Sequence, residues 1–449
     1  MGARVRVIVV NFDGGDTTLR CLEALRLQTY PRSLTEIVVV DNGSIDGLAW
    51  KIPVRFPDVK LLPLLTNEGF ARGNNIAMAD LSATDIIALV NNDAVADARW
   101  LEELVSALGS DATLGAACSK MVFNKRVIGF EIDPGPTSII INDVKLDNQS
   151  IVDSIVFDER FAFVPDSNHL PSARRRLAGA GSLWFDTAKE AVSVPALFSV
   201  AIESESSCEI GVRTSSGTTR VAVASGVSEF SVAVEGLSDV INNAGGGVFP
   251  GLHGGDIGFK EVDFGQYETP REVFSFCGGA VALRADTLRD VGLFDPSYFL
   301  YYEDMDLSWR MRFAGWKIQY VPTSVVRHEH AFSSGEWSPF FRFWVDRNRR
   351  LTLVKNAPRS VAVKAITGAT VWALRDSFVP LLRSLIRLRR PNWGACRYRM
   401  KQYGSFLKAL PAAIRARWHQ LRNSNLRPDF VYSWLSTRQE VGDHGATGN

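Results

Sequence analysis

Short runs of β-branched and aliphatic residues, each ending abruptly in polar residues and most followed by a helical stretch, constrain this chain more than any other feature. Arg4–Val10 (RVRVIVV), Glu36–Val40 (EIVVV), Val59–Leu65 and Asp85–Val90 (DIIALV) read as buried strands. Thr17–Gln28 has helical spacing through Leu19, Leu22 and Leu25, a helix runs to about Leu81, and another spans Arg99–Leu108 before a strand at Leu114–Ser119. Strands alternating with helices predict a parallel, doubly wound α/β sheet, in which ligands bind beyond the carboxyl ends of the strands. The polar clusters lie at those ends: Asn11-Phe12-Asp13-Gly14-Gly15, Asp41-Asn42-Gly43-Ser44, Asn67–Asn75 (NEGFARGNN) and Asn91-Asn92-Asp93. One such cluster is ordinary turn chemistry. Several in register along one sheet edge predict a site.

A second concentration lies at Phe294–Ser334. Glu303, Asp304 and Asp306 put acids into three of four positions, next to Tyr298, Phe299, Tyr301 and Tyr302. A helix-like segment follows, with Leu307 and Met311 on one face and Trp309 and Phe313 on another. Gly315 caps it, and a short strand at Lys317–Val321 delivers His328 and His330 to a loop. Acids at a helix start complement its dipole, and Asp306 has Arg310 one turn on. Those explanations cover one acid. Three acids among aromatics, with two histidines downstream, predict a reaction centre.

With 449 residues the chain has room for two to three domains. The net charge of +1 conceals an asymmetry, because Phe340–Arg427 holds 20 Lys/Arg against Asp346 and Asp376. The rest of the chain is correspondingly acidic. The five cysteines (Cys21, Cys118, Cys208, Cys277, Cys396) show no CxxC spacing, which argues against a disulfide framework and a zinc site and fits a reducing compartment. Neither a signal peptide nor a transmembrane helix is expected. Val361–Leu374 comes nearest to a span but contains Lys364 and stops at Arg375.

Taken together, VVVDNGSIDG, NEGFARGNN, LVNNDA, FCGGAVALRADTLRDVGLFDPSYFLYYEDMDLSWRMRFAGW and VVRHEH resemble the family 2 glycosyltransferases. More narrowly, the pattern is similar to their bacterial rhamnosyltransferase and galactofuranosyltransferase branch. The resemblance covers roughly residues 4–125 and 239–356. It implies a GT-A fold, that is, a Rossmann-like mixed sheet with helices on both faces. It also implies a nucleotide-sugar donor, a divalent metal and inversion at the anomeric carbon. By the same resemblance Asp41 meets the nucleotide base or ribose, and Asn67, Gly69, Arg72 and Asn75 form the loop that closes on the nucleotide. Asn91-Asn92-Asp93 stands where the family has Asp-x-Asp, so Asn91 replaces the first acid. Asp93 is then the metal ligand, Asn91 offers a neutral oxygen, and Asn11 and Asn92 join the donor-binding set. His328 matches the histidine that completes the metal site, and Asp304 the catalytic base of the Glu-Asp pair.

The residue types suit that chemistry. A departing diphosphate gathers charge that a cation can take up as a Lewis acid. One carboxylate suits Mg²⁺ or Mn²⁺ held largely by phosphate and water, and an imidazole ligand tilts the choice toward Mn²⁺. Asp304 would take the acceptor's hydroxyl proton as the new bond forms. Glu303 would orient acceptor hydroxyls, and Asp306 is structural. His328 reads otherwise as a histidine at a strand end, and His330 as a contact to phosphate or acceptor. Tyr302 and Trp309, with Tyr298 and Tyr301, either stack on sugar faces or pack in the core. Gly278 and Gly279 let the backbone approach the donor sugar, or serve plain tight packing.

Between the two matched regions about 110 residues intervene, with short alternating segments such as AVSVPALFSVAIES and SEFSVAVEG separated by Gly/Ser turns. They predict an inserted all-β, sandwich-like domain, for glycan binding or for structure and self-association. Gly245-Gly246-Gly247 and His253-Gly254-Gly255-Asp256 read as a flexible return. In the basic region, Arg347-Asn348-Arg349-Arg350 and then Arg383, Arg387, Arg389 and Arg390 among leucines predict an amphipathic helix at an anionic membrane surface. No nucleic-acid module is present. The expected domains are 1–125 (nucleotide-sugar-binding half), 126–238 (β-insert), 239–338 (acceptor and catalytic half), 339–430 (basic membrane-associating helices) and 431–449 (disordered tail). The expected function is an inverting, cell-envelope glycosyltransferase, peripheral on the cytoplasmic face of the plasma membrane. Its donor would be dTDP- or UDP-linked and its acceptor lipid-linked or a polysaccharide. The alternative is a glycan-binding scaffold on a decayed transferase fold.

Overall fold

The computed structural model describes residues 2–165, 171–187, 194–249, 252–329, 338–387, 390–422, 425 and 428–434. The chain divides into two compact units. One comprises Met1–Ser119, Gly245–Gly255 and the chain from Pro270 through the last described helix, and the other Lys120–Ala244 with Asp256–Thr269.

The first unit is α/β. Its chain runs β1 (Val5–Asn11), α1 (Gly15–Arg26), β2 (Thr35–Asp41), α2 (Leu48–Arg55), β3 (Lys60–Pro63), α3 (Gly69–Ala77), β4 (Ile86–Val90), β5 (Ala94–Ala96), α4 (Trp100–Ser110) and β6 (Leu114–Phe123). Val7, Ile8 and Val9, Val38–Val40 and Ile87–Leu89 are buried on both faces of the sheet, which is why these runs do not alternate with polar residues. β1 pairs in parallel with β2 and β4, and β2 with β3. The Ala280–Arg284 strand lies antiparallel between β4 and β6, so the sheet is mixed, as a GT-A fold requires. Register sets the site's first contact, because Asn11 falls opposite Asp41.

Three details differ from the sequence reading. The strand expected at Lys317–Val321 continues to His328, because Val326, Arg327 and His328 pair antiparallel with Ala96, Val95 and Ala94 of β5. His328 thus sits in a strand and not in a loop. α3 begins at Gly69, which puts Arg72 and Asn75 on a helix. The glycine-rich return forms a hairpin, Gly246–Phe249 against His253–Asp256. Gly246 exchanges backbone hydrogen bonds with Ser275, and a Cβ there would overlap the Ser275 hydroxyl.

After α5 (Ala285–Val291) and α6 (Glu303–Ala314), the basic region folds as α7 (Pro339–Asn356), α8 (Arg359–Ile386), α9 (Trp393–Arg422) and α10 (Pro428–Ser433). Tyr298, Leu351, Val354, Ala369, Phe406 and Ala413 form one buried cluster joining the first three of these to the stretch before α6. The run Arg347–Arg350 therefore does not face a membrane as a block, since Arg347 is buried. No helix among the described residues is long and apolar enough to cross a membrane. The tail expected to be disordered, 431–449, is corrected at its start: Val431–Ser433 close α10, with Val431 buried and Tyr432 and Trp434 packed on the Trp309 cluster, while residues 435–449 lie outside the described residues.

The second unit is all-β. A five-stranded sheet containing Ile128–Asp133 and Gly181–Phe185 faces a six-stranded sheet containing Ile139–Leu146 and Ala196–Ser204. One apolar cluster draws on both, including Phe130, Ile132, Ile141, Phe198, Val200 and Ile202. Phe130 and Phe198 meet across the two sheets with ring centroids 5.5 Å apart. Phe198→Ala should therefore cost about 3–5 kcal/mol, read as a lower denaturant midpoint for this unit's transition. An unchanged midpoint would mean that the two sheets are held by other contacts.

Candidate active site

The strand ends are tied together by amides. Asn11, fully buried at the end of β1, donates through Nδ2 to Asp41 Oδ1 and Ser44 Oγ, each at 3.0 Å. Its Oδ1 accepts from Thr18 Oγ1 at 2.7 Å and from Asn92 Nδ2 at 3.3 Å. Asn42 continues the net: Nδ2 donates to Asn67 Oδ1 at 3.0 Å, and Oδ1 accepts from Glu68 N at 2.9 Å. Gly69 N then donates back to Asn67 Oδ1 at 2.9 Å. Gly69 has φ +80°, and a Cβ on it would lie 2.3 Å from the Phe299 carbonyl oxygen, so only glycine lets α3 start there. Asn11, Asp41, Asn67, Gly69 and Asn92 thus form one connected patch beyond β1, β2 and β4.

Two expected members of that patch stand outside its hydrogen-bond net. Asn75 spends its amide on the backbone of Phe294, donating to its carbonyl at 2.8 Å and accepting from its N–H at 3.1 Å. Arg72 is exposed on α3 and pairs with Glu68 at 2.7 Å.

At the end of β4 the pairing of β5 with the long C-terminal strand brings Asp93 and His328 together. Asp93 Oδ1 lies 3.0 Å from His328 Nε2, and Asn91 Nδ2 lies 3.1 Å from the same nitrogen. One ring nitrogen cannot donate to Asp93 and accept from Asn91 at once. A divalent cation would use all three residues, because Asn91 presents its oxygen on a flip of the amide. The spacing also fits: adjacent ligands in an octahedral shell with bonds of ~2.1 Å stand about 3 Å apart. Among the described residues no group of three or more His, Cys or carboxylate side chains is placed to hold a metal. What these side chains offer is a pair plus an amide, with the remaining positions left to phosphate and water. His330 lies outside the described residues.

The acidic turn abuts this corner through Gly278 and Gly279. Asn91 N donates to Gly279 O at 2.9 Å, and Gly278 N donates to Asp304 Oδ2 at 3.0 Å. Met305 N donates to the other Asp304 oxygen at 2.7 Å. Desolvation pushes the Asp304 carboxyl above its ordinary range, and the two backbone donors partly offset that rise. Glu303 is buried, and among the described residues no donor reaches its Oε2. Burial, and then the charge of Asp304, hold Glu303 well above the ordinary range. The two neighbouring carboxyls thus differ: one half-buried and solvated by backbone amides, the other buried with an oxygen that no donor reaches.

The turn before these acids is strained, with Tyr301 at φ +68° and Tyr302 at +71°. Left-handed non-glycine residues cost of order 1–3 kcal/mol each and persist only when surroundings hold them. α7 holds them here. Asn348, fully buried, donates to the carbonyls of Leu300 and Tyr301, both at 2.8 Å. Arg347 donates to Ser297 O at 2.7 Å, and Lys355 bridges Asp295 and Asp306 at 2.7 Å each. The sequence reading missed Asn42 and Asn348. The signal for Asn42 was its place directly after Asp41 at a strand end. Asn348 was masked by the arginines around it.

Of the aromatics, Tyr302 lines the site, donating weakly to Gly254 O at 3.4 Å, with burial pushing its hydroxyl up to about 12. Trp309 is a correction. It is 2% exposed, edge-on to Phe274 at 4.7 Å and stacked on Phe313, so it supports α6 from the core and presents no face to a sugar.

Two outcomes are expected. Asn348→Ala leaves two buried carbonyls without their donor and should cost about 1–3 kcal/mol in thermal unfolding; no loss would free the turn from α7. For Glu303, a carboxyl that binds its proton more tightly when folded stabilises the fold below its ordinary value of 4.5, and that stabilisation is lost as pH rises through the raised folded value. Glu303→Gln has no proton to lose. Its melting temperature should rise relative to wild type as pH climbs from the ordinary value of 4.5 through the raised folded value, whereas parallel curves would show that Glu303 titrates alike in both states.

Comparison with known proteins places this geometry in context. The family model "Glycosyl transferase family 2" matches residues 6–142, and "Glycosyl transferase family group 2" matches residues 251–408. Glycosyltransferase AglE of Haloferax volcanii is 31% identical over 107 residues, 23% of this chain and 35% of that protein. The N-acetylglucosaminyl-diphospho-decaprenol L-rhamnosyltransferase of Mycobacterium tuberculosis is 42% identical over 65 residues, 14% of this chain and 21% of that protein. The chain thus spans about a third or less of the length of these two curated relatives. Among solved structures, GalNAc-T7 with UDP, GalNAc and Mn²⁺ aligns at a TM-score of 0.46 and 12% identity, over 94% of this chain and 58% of that one. Most of both matched ranges falls on the unit that carries the strand-end amides, the Asp93–His328 pair and the Glu303-Asp304 turn. The chain belongs to the family 2 glycosyltransferases.

Proposed function

We propose that this protein is a metal-dependent, inverting glycosyltransferase. It would move a sugar, rhamnose or galactofuranose, from a dTDP- or UDP-linked donor to a lipid-linked or polysaccharide acceptor in cell-envelope glycan synthesis. One observation carries this reading: two consecutive residues, Gly278 and Gly279, join the proposed base to the proposed cation pair, one bonding to Asp304 and the other to Asn91.

In this reading the nucleotide lies along the amide patch, with Asp41 on base or ribose and Asn11, Asn67, Gly69 and Asn92 shaping its bed. Arg72, exposed beside it, reaches for phosphate. Asp93 and His328 would hold a divalent cation, Mn²⁺ or Mg²⁺, which when bound offsets charge developing on the leaving diphosphate. Asp304 accepts the proton of the acceptor hydroxyl as that oxygen attacks the anomeric carbon from the face opposite the leaving group. Its raised proton affinity suits a general base better than that of an ordinary carboxylate. Glu303, protonated, donates to an acceptor oxygen and fixes its direction. Gly278 and Gly279 leave room for the sugar, and Tyr302 closes the acceptor side. The rhamnosyl branch of the reading is supported by the similarity to the mycobacterial rhamnosyltransferase, which also motivates a lipid-diphosphate acceptor. Such an acceptor would put the reaction at the cytoplasmic face of the plasma membrane, with this protein peripheral to it.

The test is nucleotide release from a panel of nucleotide sugars with Mn²⁺ or Mg²⁺. One donor should be turned over, chelation should abolish turnover, and Asp304→Asn should slow it by about 10²–10⁴-fold with nucleotide affinity retained. Asp93→Asn and His328→Ala should instead raise the cation concentration needed. Nucleotide binding with no turnover of any donor, even with added membrane glycolipid, would overturn the transferase reading in favour of a scaffold.

A further inference from the structure

α8 has two apolar faces, and among the described residues only one of them is buried. Ala362, Ala369, Ala373, Ser377 and Leu381 are buried, a row of mostly small side chains that lets α8 lie close to its neighbours. On another face Val371, Leu374, Phe378, Leu382, Leu385 and Ile386 are between 49% and 73% exposed. At 100° per residue these six fall within an arc of about 120°. The stripe runs over 16 residues, roughly 24 Å of helix. Contiguous exposed apolar surface of that extent marks an interaction site.

Charge decides between occupants. Lys364, Arg383, Arg387 and Arg390 are exposed along and just beyond α8, whereas the acid nearest the stripe, Asp376, pairs with Arg375. The basic region as a whole carries 20 Lys/Arg against two acids. A second copy docked on this face would bring a like-charged surface against it. An anionic lipid surface would not, and an apolar stripe edged by arginines is the pattern of a helix lying in the plane of a bilayer interface.

We infer that α8 docks the protein on anionic membranes through the Val371–Ile386 stripe, with Arg383, Arg387 and Arg390 at the lipid headgroups. This identifies the surface that would carry a transferase of lipid-linked acceptors to its substrate. It rests on that reading only for its purpose, because membrane binding needs no donor and no turnover.

The experiment is co-sedimentation of the full-length protein with vesicles of phosphatidylglycerol and phosphatidylcholine, against vesicles of phosphatidylcholine alone. Wild type should partition to the anionic vesicles and lose partitioning as salt is raised. Arg383→Glu with Arg387→Glu should weaken partitioning by about 30-fold or more, given the usual worth of a cation near an anionic leaflet. Leu374→Asp with Phe378→Asp should abolish it even at low salt. Both variants should keep the wild-type melting temperature and nucleotide affinity, since none of these side chains is buried. Three results would overturn the inference: no preference for anionic vesicles, equal partitioning of wild type and both variants, or a wild-type dimer in light scattering that the Asp variant converts to monomer. Failure of every donor in the turnover assay would leave this result untouched, so the two readings fail separately.

Discussion

Asp306 sits at the first turn of α6 with no exposed surface, and it accepts from Lys355, Asn356 and Arg310 at 2.7, 3.1 and 3.1 Å. Burying a carboxylate costs several kcal/mol in lost hydration, and only well-placed donors offset that. Here they come from both sides. Arg310 lies one turn on, while Lys355 and Asn356 stand at the end of α7. Lys355 also bonds to Asp295, so one ammonium ties both ends of the stretch that carries the strained tyrosines. Removing Lys355 would take away the closest cation from this buried carboxylate. α7 is therefore part of the acidic turn's architecture, and Asp304 meets Gly278 with Asp306 held from behind.

The strand ends themselves are built from amides where acids would have served for hydrogen bonding alone. An asparagine both donates and accepts, so Asn11, Asn42, Asn67 and Asn92 can tie three loops together without adding negative charge, which suits the diphosphate of the proposed donor. Asn91 follows the same logic at the cation pair. It keeps an oxygen available but lowers the charge, so that in the proposed reading Asp93 and the donor's phosphates would be the main anions. The Asp304 carboxyl stands beyond the two glycines, where the proposed reaction would need a proton acceptor.

Much of this was legible in the chain. Unbroken aliphatic runs at Val5–Val10, Ile37–Val40 and Ile86–Val90 mean strands covered on both faces, and their polar ends locate a ligand edge, because periodicity and burial are local properties. The alternating insert announced its sheets in the same way. Residues whose role depends on distant partners were not legible. Trp309 looked like a sugar platform among tyrosines and lies in the core, because helical phase relative to the sheet is set by packing. Asn75 stood within the loop motif and instead clamps Phe294, since α3 starts at Gly69. His328 was placed in a loop because Asn91-Asn92-Asp93 hid the three-residue strand that pairs with it.

The basic region shows the division most sharply. Composition and spacing alone pointed to cationic, amphipathic helices across residues 339–430. They could not sort the cations, since Arg347 and Lys355 have the same charge as Arg383 and Arg387 yet are buried against the acidic turn while the latter are exposed. By itself the sequence determined the family, the sheet and the types of residue at the site, all of which rest on patterns within about ten residues. The tertiary structure decided which acids meet which donors, which aromatic is core and which face of α8 is free. Those follow from contacts between segments up to several hundred positions apart, which no local pattern encodes.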